Sequence, residues 1–92
     1  MKKLSELMLE GYAMVGRQTK DVFCRGNPLR PRSVCAIGAI NLAATGNAND
    51  FDHRLYGPLG RLESRIGISV GKLNDEGMSI PDIAGIAAAE GL

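Results

Sequence analysis

Along residues 3–15, KLSELMLEGYAMV, the apolar side chains recur at spacings of three and four. Leu4, Leu7, Met8, Tyr12 and Val15 then share one face of a helix, and Gly16 suits a left-handed stop. Gly11 inside that helix weakens it by about 1 kcal/mol relative to Ala, unless a neighbour needs to come close there. The next helical pattern, over about 33–45, is different in kind. In "SVCAIGAINLAAT" nearly every side is apolar, and Ala36, Gly38, Ala39, Ala43 and Ala44 are small. Ser33 is the expected N-cap and Gly46 the stop. A helix apolar all round is surrounded by protein, so this segment is read as the buried central helix.

Residues 17–32, RQTKDVFCRGNPLRPR, interrupt the helical pattern. Gly26, Pro28 and Pro31 forbid a continuous helix, and "RGNP" is turn chemistry. "DVFC" is β-prone, so the region is read as a structured loop with a short β-hairpin near 20–32 as an option. After the central segment, "GNANDFDHRLYG" is a polar connection with room for a helical turn from Phe51 to Leu55. Gly57 and Pro58 are expected to open a helix with Leu59, Leu62 and Ile66 on its inner side, ended by Gly67. Ser69 caps a short helix over Val70–Glu76, stopped by Gly77.

The last helix has the clearest grammar. Ser79 is its N-cap, Asp82 the capping-box position, Pro81 a first-turn residue, and Met78 with Ile83 a hydrophobic staple. Ile83, Ile86 and Ala87 form its inner face and Gly91 its end. Together these patterns predict an all-α fold: one domain over 1–92, a compact bundle of four to five short helices around the segment at 33–45.

Composition narrows the function. The chain has 92 residues, 45% hydrophobic and 23% charged, with a formal net charge of +1. A globular fold is expected, without the global basic field usual in nucleic-acid binders. A domain this small buries its apolar surface only marginally, so a homo-oligomer is expected. No apolar run reaches the roughly 20 residues needed to span a bilayer. Glu6 and Glu10 break up the segment after the basic Met1-Lys2-Lys3, so no signal peptide or membrane partner is expected, and the location is read as cytoplasmic. Cys24 and Cys35 are too few for a disulfide framework or a zinc site and are read as structural.

The distinctive chemistry is basic. Arg17, Lys20, Arg25, Arg30 and Arg32 fall within sixteen residues, opposed only by Asp21. Guanidinium forks suit phosphate or carboxylate, and the N-terminus of the expected Ser33 helix would add free amides, so these five are the candidate ligand-binding residues. The alternative is a solvated loop pairing with Asp50, Asp52 and Glu63. Asn74 and Asp75 form a secondary candidate pair, otherwise read as a helix end with Leu73 inward and Asn74 in a left-handed or capping geometry.

Asp50, Asp52 and His53 suggest a metal pair or an acid–base set, but a turn with one His is better read as caps. No catalytic residue, metal ligand or cofactor is assigned, and no enzyme is expected. "EGMSIPDIAG" resembles the bracing helix of a helix-turn-helix. The sequence ends in "AAAEGL" where a recognition helix would begin, and the preceding "SVGKLNDEG" carries Asp75 and Glu76, so DNA reading is not expected there.

"CAIGAINLA" from Cys35, followed by "LNDEGMSIPDIA" ending at Ala84, resembles a group of small domains of unknown function from bacteriophages, prophages and actinobacteria. These pair a Cys-Ala-Leu-Gly-Ala helix with a late Asn-Asp and a final amphipathic helix. The resemblance implies a helical fold and a phage or mobile-element origin, with no activity attached. The arginine loop and "NDFDHRLY" lie outside it. The leading expectation is a non-enzymatic binding protein, a small phage accessory (anti-defence or host-interaction) factor in the host cytoplasm. It would bind a host protein or a small anionic ligand such as a nucleotide. The alternatives are a nucleic-acid binder using the basic loop 17–32, which the charge makes the less favoured, and a structural or interaction subunit.

Overall fold

The computed structural model describes residues 2–92. Among them are five α-helices, α1 (Leu4–Val15), α2 (Ala36–Thr45), α3 (Tyr56–Ile66), α4 (Val70–Asp75) and α5 (Ile80–Ala89), with a 3-10 turn at His53–Leu55 leading into α3. An antiparallel hairpin, β1 (Cys24–Asn27) and β2 (Arg30–Val34), joins α1 to α2. The fold is helix-dominated with a hairpin rather than purely helical.

Leu4 and Met8 of α1, Ile40 of α2, Leu62 of α3, Val70 of α4 and Ile80 and Ile83 of α5 are fully buried in one cluster. Each such side chain contributes about 1.5–3 kcal/mol by leaving water. Helix α1 packs chiefly on α2 and α5, and α2 on α4. Gly11 finds its purpose here, because a Cβ at that position would overlap the backbone carbonyl of Ala39. The two helices cross backbone to backbone. Gly16, Gly46 and Gly67 stop α1, α2 and α3 in the left-handed conformation, as their positions predict.

Three boundaries differ from expectation. Ser33 lies inside β2 and caps nothing. The Thr19 amide donates to Val34 O at 2.9 Å and the Val34 amide to Arg17 O at 3.0 Å, which holds the chain extended past Ser33. The cap passes to Cys35, whose Sγ accepts from the Gly38 amide at 3.3 Å. Strand β1 takes in only the last residue of "DVFC", Cys24, since Asp21 takes φ 68° and bends the segment before it. The strand runs into the turn residues because Gly26, at φ 86°, absorbs a bulge between Arg25 and Gly26. Helix α3 starts at Tyr56, so Gly57 and Pro58 sit in its first turn, where a missing amide proton costs little.

Candidate functional site

The segment between α1 and β1 is held by two side-chain amides, one fully buried and one half-buried. Asn74, on α4 and fully buried, accepts at Oδ1 from the Ala36 amide (2.9 Å) and from Gln18 Nε2 (2.7 Å). Its Nδ2 donates to Thr19 O at 2.8 Å. Gln18 in turn donates to Met78 O and accepts at Oε1 from the Ile80 amide, both at 2.8 Å. Two side chains thus tie residues 18–19 to the start of α2 and to both ends of the α4–α5 connection. Asn74 caps a helix, but a different one from its own, and it does not adopt the left-handed geometry expected of a helix end.

That frame fixes the bend at Asp21–Phe23. The Asp21 amide donates to Asp75 Oδ1 at 2.9 Å, and Phe23 O accepts from the Cys35 amide at 3.0 Å. Phe23 O also rests against Gly38 so closely that a Cβ there would overlap it. The backbone is therefore pinned while the side chains of Val22 and Phe23 stay 43% and 47% exposed. With Ile37 and Cys24 they line an open cleft of about 500 Å³, whose polar edge carries Asp21 and Asp75. Cys35 lies at its floor, and burial pushes its thiol above the usual pKa, against a lowering by the Gly38 amide.

The five basic candidates are distributed around this region. Arg25 Nε donates to Thr19 Oγ1 at 2.8 Å, and Lys20 Nζ reaches towards Gly77. Arg32 lies across Gly26, Arg30 borders a second groove with Met14 and Leu29, and Arg17 is exposed. None of the five lines the cleft or makes an ion pair among the described residues. The expected pairing with Asp50, Asp52 and Glu63 does not occur. Asp52 pairs with Arg54, and Glu63 accepts from the Val70 amide at 2.7 Å. At the start of the helix after β2, three of the first four amides are already taken. Asn74, Cys35 Sγ and Cys35 O already accept from Ala36, Gly38 and Ala39.

Asp52 caps the 3-10 turn through the Arg54 amide at 3.0 Å, and His53 packs on Tyr56 with ring centres 5.6 Å apart. Asn74 and Asp75 do meet the site, the first as its frame and the second on its edge. Sequence reasoning missed Val22, Phe23, Gln18 and Thr19, because nothing local marks a β-prone dipeptide as exposed or a Gln as a bridge to residues sixty positions away. No family model matches this chain, and no curated protein or solved structure does.

Proposed function

We propose that this chain is a non-enzymatic binding protein that recognises another protein through the cleft at Val22 and Phe23. One observation carries the reading: Phe23 holds an exposed aromatic ring on a backbone whose carbonyl accepts from the Cys35 amide and packs on Gly38, with the Asp21 amide held by Asp75 two residues earlier. An aromatic presented without further ordering cost is the usual anchor of a protein interface. Asp21 and Asp75 favour a partner that brings a Lys or Arg beside an apolar side chain. Helix α2 serves as the central helix of the bundle and as the wall behind this loop. In the phage setting implied by the sequence resemblance, the location would be the host cytoplasm. No helix is long and apolar enough to cross a membrane among the described residues.

Panning displayed peptides on the chain is expected to enrich sequences with a cation next to a bulky apolar residue. In an amide-resolved NMR spectrum those peptides should shift residues 21–24 and 71–75, and Phe23→Ala should weaken them about tenfold or more. Peptides that map elsewhere, or that ignore Phe23→Ala, would overturn the reading.

A second reading has one observation of its own. Arg30 and Arg32 are exposed and have no acidic partner among the described residues, which suits a phosphate from a nucleotide or a nucleic-acid backbone. It predicts salt-sensitive binding to generic DNA, RNA or nucleotides that Arg30→Ala with Arg32→Ala removes. A flat titration at low salt eliminates it.

A further inference from the structure

We infer that the acidic cleft is filled by the hairpin turn of a second copy of this chain, so that molecules associate head to tail. This names the partner of the proposed protein-binding cleft and rests on that reading. The cleft lies at one end of the hairpin, where Cys24 begins β1. The turn at Pro28–Leu29 lies at the other end, roughly 13 Å away at about 3.3 Å per residue. Its shape is set by hydrogen bonds, with the Ala48 amide donating to Pro28 O and the Leu29 amide to Asn27 Oδ1, both at 2.9 Å. The β1–β2 pairing holds the turn at the opposite end of the hairpin from Cys24.

The two ends are chemical complements. Leu29 is 61% exposed and is followed by exposed Arg30, which makes no ion pair among the described residues. The cleft offers apolar Val22, Phe23 and Ile37, with Asp21 and Asp75 on its edge. Asp75 Oδ1 accepts only from the Asp21 amide and Asn74 Nδ2, and neither carboxylate is in an ion pair among the described residues. An apolar residue beside a cation fits an apolar cleft beside carboxylates. A two-fold arrangement with the hairpins face to face would set Arg25, Arg30 and Arg32 against their own copies. A head-to-tail contact instead brings each turn to the next molecule's carboxylates, and such heterologous contacts form rings or open chains.

The test uses two full-length variants in sedimentation velocity at low salt. One carries Val22→Lys and Phe23→Lys in the cleft, and the other Leu29→Glu and Arg30→Glu in the turn. The native chain is expected to show mass rising with concentration, and its association constant should fall about tenfold as salt rises to about 0.5 M. Each variant alone should stay at the 9.8 kDa monomer with native circular dichroism and an unchanged melt. An equimolar mixture should form a single heterodimer, because each variant retains the half the other lacks.

A native chain that remains monomeric up to about 1 mM, a range that reaches millimolar dissociation constants, overturns the inference. So does a variant that still associates alone, or a mixture that does not pair. If the native chain is monomeric while panned peptides still occupy the cleft, only the self-association fails. If the peptides fail too, the protein-binding reading falls with it.

Discussion

A Cβ on Gly11 would overlap the backbone carbonyl of Ala39, so α1 and α2 meet with no side chain between them. The neighbour is backbone and cannot swing aside. Gly11→Ala is therefore expected to cost about 3 kcal/mol, even though alanine favours the helix itself by about 1 kcal/mol. Gly38→Ala should behave alike, since its Cβ would overlap Phe23 O, and should also loosen the cleft. Gly85→Ala in α5, with open space around it, should instead stabilise by about 0.5–1 kcal/mol. Urea or thermal melts of the three variants check the contrast. A Gly11→Ala melt no lower than wild type would show that the helices can move apart at little cost.

Asn74 is where three segments meet, so its truncation should be felt at all of them. Asn74→Ala leaves the Ala36 amide and Thr19 O without their partner inside the protein and removes one acceptor from Gln18. The expected loss is about 2–4 kcal/mol, because buried groups are stranded rather than returned to water. Hydrogen exchange reads the mechanism. The Ala36 amide should lose protection more than amides in the middle of α5.

Asp52 sets a pH dependence. The Arg54 guanidinium, bonding both carboxylate oxygens, and then the Arg54 amide lower its pKa from 3.8 to about 2. A lowered carboxyl adds stability above its unfolded value, and that stability is lost as pH falls from about 3.8 through about 2. Carbon-detected titration should place the Asp52 midpoint near the lower figure. In Arg54→Ala it should return towards the ordinary carboxylate range.

Cys35 and Cys24 should differ in reactivity although both border the cleft. Burial raises the Cys35 thiol pKa, and its Sγ accepts the Gly38 amide, whereas Cys24 is half-buried. Alkylation of the native chain at neutral pH is expected to modify Cys24 and spare Cys35 until the chain unfolds. Cys35→Ala removes the cap of α2 and should cost about 1 kcal/mol. Cys35→Ser keeps an acceptor there and should cost less.

Local grammar was legible. Ser69 and Ser79 cap α4 and α5 through the Lys72 and Asp82 amides, and Gly16, Gly46, Gly67, Gly77 and Gly91 turn left-handed next to helices. These depend on interactions within one turn of chain, which spacing alone specifies. The start of α2 was not legible, because Ser33 is a good cap locally but lies in a strand held by Arg17 and Thr19. The basic loop was visible as composition, while the directions taken by Arg25, Arg32 and Lys20 depend on Thr19, Gly26 and the α4–α5 turn.

By itself, the amino-acid sequence determined which segments are helical, where α1, α2 and α3 stop, and where α4 and α5 begin. Those outcomes follow from short-range hydrogen bonding and periodicity. Only the tertiary structure decided that Asn74 caps a helix 38 residues away, that Gly38 makes room for Phe23 O, and that two carboxylates rather than five cations edge the cleft. Such contacts join segments distant in sequence, and their partners are chosen by how the packed elements bring buried polar groups together.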